Sequence, residues 1–124
     1  QANYAAAKAG IVGLTKTVAK EWGPLGVRCN AVAFGMIDTR MTNAFDESGA
    51  AGGGAVQVDG RSVPQGVPPH VAKMWQSPEF VQAMVPLARK GRPEEAAGAM
   101  AFLASPLSSY VSGHTLEVTG GFGI

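Results

Sequence analysis

Tyr4 and Lys8, separated by three alanines, are the two residues of this chain best spaced to do chemistry together. On a helix, side chains four apart lie on one face, a turn from each other. A phenol and an ammonium held in that way form an acid/base unit. Tyrosine ordinarily titrates near pH 10, so proton transfer at neutral pH requires that value to fall by about three units, roughly 4 kcal/mol of preference for the phenolate. A cation beside it in a desolvated site supplies a preference of that kind. The competing reading is a solvated surface pair with no task, and the rest of the chain has to decide between the two.

The pair needs a helix to hold it. Ile11, Leu14, Val18 and Trp22 recur at steps of three and four, the helical period. This face, with Tyr4 on the same side, is expected to cover a sheet and to end at the phenol. A second stripe, Ala6, Gly10, Gly13 and Thr17, carries only small residues. A glycine inside a helix costs about 1 kcal/mol relative to alanine, so the stripe is expected to receive another backbone at close range. Gly23-Pro24-Leu25-Gly26 ends the helix. Val27 to Phe34 then reads as a short strand covered on both faces, with Cys29 as a small buried hydrophobe. Gly35 ends it and allows a sharp turn near a ligand.

Residues 43–70 are the least regular. The Gly/Ala run from Ser48 to Ala55 follows no strand and lacks the Lys of a phosphate-binding loop, so it reads as a plain loop. Val56-Gln57-Val58, Asp59-Gly60 and Arg61-Ser62-Val63 have the alternation and turn dipeptide of a small hairpin. Pro64, Pro68 and Pro69 return the chain to loop, with His70 solvated among them. A short helix is expected over 71–76. Ser77-Pro78-Glu79 starts another, with an apolar side of Phe80, Val81, Met84 and Leu87. Pro93-Glu94-Glu95 opens a helix that closes at Ser105-Pro106, and His114 to Val118 is the last strand. Two short strands and long helices do not close a parallel sheet by themselves, so this order reads as half of an α/β layer structure.

Composition narrows the classes. The chain has 124 residues, 46% hydrophobic and 15% charged, enough for one globular domain at most. A net charge of +1 and no basic stripe give no case for nucleic acid. No apolar run has the length of a membrane span. One Cys and two His make no disulfide framework and too few ligands for a structural zinc, so no metal is expected. The expected compartment is intracellular and soluble, cytoplasm or organelle matrix. A chain that opens at Gln1, inside its most informative motif, reads as the downstream part of something longer.

Taken in order, the segments resemble a known family. Asn3-Tyr4-Ala5-Ala6-Ala7-Lys8-Ala9-Gly10 is followed by Arg28-Cys29-Asn30-Ala31-Val32-Ala33-Phe34-Gly35-Met36-Ile37-Asp38-Thr39-Arg40-Met41-Thr42. Gly91-Arg92-Pro93-Glu94-Glu95, Phe102-Leu103-Ala104-Ser105, Ser112-Gly113 and Val118-Thr119-Gly120-Gly121 complete the series. Together they resemble the second half of a short-chain dehydrogenase/reductase, nearest to its 3-oxoacyl-carrier-protein-reductase-like branch. The resemblance covers nearly all of the chain except 43–76.

That resemblance implies the C-terminal half of a Rossmann-type doubly wound parallel sheet, with the N-terminal half absent from this chain. It divides the chain into 1–42 (catalytic helix, strand and nicotinamide-side turn), 43–90 (substrate loop and lid) and 91–124 (last helix and strand). The implied activity is an NAD(P)-dependent interconversion of a carbonyl and an alcohol in a small-molecule substrate. Tyr4 is the implied acid/base, while Lys8 lowers its pKa and holds the nicotinamide ribose. Gly35 matches the turn glycine beside the nicotinamide, and the Ile37 main chain and Thr39 hydroxyl match positions that hold the cofactor carboxamide. NAD and NADP stay equally open, because the residues that select between them precede the Tyr. The intact enzyme is expected to be a homodimer or homotetramer, and this chain alone inactive. The alternative is a truncated chain of the same fold that serves only in binding or subunit association. Two departures stand out: Phe34 replaces the usual Pro before the turn glycine, and residues 43–76 are longer than the common substrate loop.

Overall fold

The structure, a computed structural model, describes residues 2–39, 55–64 and 69–123. Helix α1 (Ala2–Trp22) ends in a 3-10 turn at Gly23–Leu25 and is followed by strand β1 (Ala31–Phe34). Strands β2 (Ala55–Val58) and β3 (Arg61–Pro64) come next, then α2 (Pro69–Gln76), α3 (Pro78–Met84), α4 (Pro93–Ala104) and β4 (Thr115–Val118). β1 and β4 pair in parallel with Ala31 opposite Thr115 and Phe34 opposite Val118. Both α1 and α4 pack against β1. Helices on a parallel pair are the α/β layering read from the sequence. Among the described residues no third strand joins this sheet.

The hairpin forms where its pattern places it. β2 and β3 pair antiparallel across Asp59 and Gly60, both at positive φ (49° and 73°), as a two-residue type I′ connection requires. The start of α3 also follows its signal: the Ser77 hydroxyl accepts from the Phe80 amide at 3.1 Å, with Pro78 in the first turn. The Gly/Ala run over 48–54, Arg40-Met41-Thr42 and Pro68 lie outside the described residues.

Four expectations are corrected. Regular strand begins at Ala31, not Val27. Arg28 and Asn30 are anchors instead: Arg28 donates to the Leu103 carbonyl at 2.9 Å and the Val111 carbonyl at 3.2 Å, and Asn30 to the Val111 carbonyl at 2.8 Å. The His114 amide returns a bond to Asn30 Oδ1 at 3.0 Å. Nor is β1 covered on both faces throughout, since Phe34 is exposed. His70 lies inside α2, because Pro69 takes the first helical position, where a missing N–H costs nothing, instead of prolonging the loop.

The fourth correction concerns α1. Its packed side is Val12, Thr15, Val18 and Ala19, with Thr15 buried and its hydroxyl donating to the Ile11 carbonyl at 2.8 Å. Ile11, Leu14 and Trp22 are exposed, Leu14 by 62%. A threonine whose hydroxyl bonds back into its own helix can face the sheet without an unpaired donor, which hydrophobic periodicity overlooks. The stripe Ala6, Gly10, Gly13, Thr17 is exposed as well, with no described atom near either glycine. Val81 and Val85 are the buried hydrophobic residues among those described.

Candidate functional site

Three loops meet beyond the carboxyl ends of β1 and β4. Open α/β sheets place their ligands at such ends. Gly35 continues β1, and its amide donates to the Val118 carbonyl at 3.1 Å. A Cβ on Gly35 would stand 2.7 Å from the Thr119 Cα and 3.0 Å from its carbonyl oxygen, so only a glycine lets the two backbones approach this closely. The Ile37 amide donates to the Gly35 carbonyl at 3.1 Å, a bond across two residues that turns the chain sharply. The residues from Gly35 to Ile37 are half-buried, Asp38 is exposed and Thr39 half-buried.

The turn is stitched to a second loop. Gly91 donates to the Met36 carbonyl and accepts from the Asp38 amide, both at 2.8 Å, an isolated parallel bridge opposite Ile37. The Leu87 amide donates to the Gly120 carbonyl at 3.1 Å and joins the loop after β4 to the same assembly. A cavity of about 190 Å³ lies among Met36, Ile37, Arg89, Gly91, Glu95 and Thr119.

The loop 88–92 has its own support. Arg89 grips Glu95 with two parallel bonds of 2.8 and 2.7 Å, and the Arg92 amide donates to the same carboxylate at 2.7 Å. Arginine carries no acceptor, so at α4 only the half of a capping box made by the Glu95 side chain forms. The Arg89 hydrogen bonds, then the Arg92 amide, hold the Glu95 pKa down at about 2 from its ordinary 4.5. A depressed folded-state value makes this support complete above pH ~4.5 and removes it as the pH falls towards ~2. Sequence reading took Glu95 only as a helix-start acid. An acid at the third helical position was the available signal for this bond.

Tyr4 and Lys8 share one face of α1, with the Lys8 ammonium 5.4 Å from the centroid of the Tyr4 ring, within range of a cation–π contact. Tyr4 is 61% exposed. Their stripe continues through Val12, Thr15 and Ala19, so the pair prolongs the side of α1 that packs on the sheet. Ala19 lies 3.5 Å from the Cβ position of Gly113, just before β4 begins. Tyr4 is about 22 Å along the helix from Ala19 at 1.5 Å per residue. The extended run from Gly113 to Gly120 spans about 23 Å at 3.3 Å per residue. A helix running back along the strands would bring Tyr4 towards the level of the turn after β1.

A family model described as enoyl-(acyl carrier protein) reductase matches residues 1–65 and 63–123. The chain belongs to the short-chain dehydrogenase/reductase family. It is 40% identical over 121 residues to 3-oxoacyl-[acyl-carrier-protein] reductase FabG of Vibrio cholerae, covering 98% of this chain and 38% of that protein. The human (3R)-3-hydroxyacyl-CoA dehydrogenase is also 40% identical over 121 residues, covering 98% and 36%. Among solved structures, a Brucella melitensis 3-oxoacyl-[acyl-carrier protein] reductase superposes with a TM-score of 0.67 at 34% identity, over 98% of this chain and 35% of that one. A metagenomic blue fluorescent protein in complex with NADPH gives 0.68 at 32% identity, over 98% and 37%. The chain thus spans little more than a third of the length of these family members. Among the described residues no helix is long and apolar enough to cross a membrane.

Proposed function

We propose that this chain supplies the proton-transferring and nicotinamide-side part of an NAD(P)-dependent oxidoreductase that interconverts a carbonyl and an alcohol. The observation that carries the reading is the Tyr4–Lys8 contact on the stripe of α1 that continues into its packed side. The similar lengths of helix and strand run support placing the pair near the braced turn 35–39. In this reading 1–42 holds the catalytic helix, strand and turn, 43–90 the substrate loop and lid, and 91–124 the last helix and strand. The whole is the C-terminal half of a Rossmann-type doubly wound sheet, a placement supported by the two-stranded parallel pair and by the share of its relatives that the chain spans.

The turn fits a nicotinamide cofactor in its chemistry: backbone held in shape by its own bonds and those to Gly91, with the Thr39 hydroxyl beside it, at the carboxyl end of a parallel strand. Gly35, the Ile37 main chain and Thr39 would hold the nicotinamide end, and Lys8 the ribose. Such a cofactor, when bound, gives or takes a hydride. The protein groups orient the reactants and manage the proton. Tyr4 gives its hydroxyl proton to the carbonyl oxygen during reduction and takes it back during oxidation. The Lys8 ammonium stabilises negative charge on the phenol oxygen, an effect that strengthens once bound molecules exclude water. The names of the relatives make a 3-oxoacyl thioester the first substrate to test.

Lys8→Ala tests this reading, because one ammonium serves two tasks. In the full-length protein it is expected to lower kcat by about a hundredfold, at the modest end of general acid–base effects, and to weaken cofactor binding as well. Steady-state rates and a cofactor titration check both; unchanged values for both would refute the assignment.

The intact protein is proposed to be a homodimer or homotetramer joined through the exposed small stripe Ala6, Gly10, Gly13 and Thr17. Two glycines with open space above them allow a partner helix to approach closely. Gly10→Leu is expected to shift the full-length protein towards monomer in sedimentation velocity. A wild type that is monomeric at every concentration would contradict this surface.

A further inference from the structure

We propose that Glu95 is a positioning residue for the cofactor-side turn, acting through Arg89 and the Arg92 amide on the loop that carries Gly91. The inference rests on the reading of residues 35–39 as the nicotinamide-side turn. It names a residue whose side chain does not itself lie in that turn.

Three observations converge. First, one carboxylate holds both flanks of Gly91. Arg89 approaches as a planar fork, Arg92 donates its amide, and Arg89 also donates to the Lys90 carbonyl at 3.1 Å. Second, Gly91 is where this loop meets the turn, through its bonds with Met36 and Asp38. Its Cβ position is only 2.7 Å from the Ile37 side chain, so the loop and the turn are in tight contact as well as hydrogen-bonded. Third, Ala88 sits at φ +56°, a left-handed conformation that a residue with a Cβ disfavours. Strain of this kind persists where surrounding contacts over-determine it. Here the Ala88 amide donates to the Val85 carbonyl at 2.7 Å on one side, and the Arg89 fork follows on the other.

An isolated surface ion pair contributes little. This carboxylate differs in receiving three short charge-assisted bonds, two of them in a geometry that a lysine cannot reproduce. Weakening them frees the loop 88–92 to shift, and the turn must follow it through Gly91. Tyr4 and Lys8 stand on a different element and keep their places. The expected signature is therefore loss of cofactor binding without loss of the chemical step, the pattern of a lost uniform interaction.

The test uses the full-length protein and titration with NADPH and with NADH, read by the fluorescence of the reduced nicotinamide. Glu95→Gln is expected to raise the cofactor Kd and KM by about tenfold, the value of one charge-assisted hydrogen bond. The kcat at saturating cofactor should stay within about twofold, as for loss of uniform binding. Arg89→Lys keeps the charge without the fork and should give the same split. The double variant should be no worse than Glu95→Gln alone, because Arg89→Lys acts only through that carboxylate. If the wild type binds neither cofactor, the reading of the turn falls and this inference with it. If the wild type binds and both variants bind as tightly, the turn stands and the role of Glu95 is overturned. A drop in kcat with an unchanged cofactor KM would also overturn it.

Discussion

Tyr4→Phe in the full-length protein is expected to cut turnover by about 10²- to 10⁴-fold, the range of a lost general acid–base group, while cofactor affinity changes by less than about twofold, as expected when only a transition-state interaction is removed. The substitution deletes one hydroxyl. A phenylalanine ring still offers its face to the Lys8 ammonium, which lies 5.4 Å from the ring centroid, so the cation keeps its place. What disappears is the proton that, in the proposed reaction, goes to the carbonyl oxygen. Initial rates with a 3-oxoacyl thioester, together with a binding titration, separate the two effects. A mutant with near-normal turnover would remove Tyr4 from the reaction.

Gly35→Ala should destabilise the protein by about 1–3 kcal/mol, as overpacking does, and weaken cofactor binding in parallel. The new Cβ would meet the Thr119 backbone at 2.7 Å. Backbone cannot swing aside, so the ends of β1 and β4 must separate, and the turn 35–39 moves with them. Gly91→Ala is the informative control. Its Cβ would also meet an atom at 2.7 Å, but that atom is Ile37 Cδ1, the end of a flexible side chain. A rotamer change relieves that clash at a smaller cost. Denaturant midpoints of the two variants should therefore differ, with Gly35→Ala the less stable. Equal stability would show that the contact between the two strand ends is not tight.

Much of the fold was legible because its signals are local. Ser77-Pro78 starts α3, Asp59-Gly60 turns the hairpin, and Pro93-Glu94-Glu95 opens α4, each through side chains and backbone within a few residues. The packed face of α1 was misplaced for a physical reason. Apolar periodicity selected Ile11, Leu14, Val18 and Trp22, of which only Val18 lies on the packed side; that side is marked by Thr15, a polar residue satisfied within its own helix. Arg28 and Asn30 were equally opaque, because their partners, Leu103, Val111 and His114, lie more than seventy residues away. At the candidate site, the Tyr4–Lys8 spacing and the turn glycine could be read directly. The bracing of that turn by Gly91, Arg89 and Glu95 could not, since sequence order gives no sign that residue 91 lies beside residue 37.

A structure of the full-length protein with a nicotinamide cofactor and a 3-oxoacyl thioester analogue tests the central claim most directly. The account predicts the analogue's carbonyl oxygen within about 2.6–3.2 Å of the Tyr4 hydroxyl, the reach of a general acid, with the nicotinamide lying along Gly35 to Thr39. A nicotinamide bound elsewhere, or a carbonyl oxygen facing some other proton donor while Tyr4 points into solvent, would contradict it.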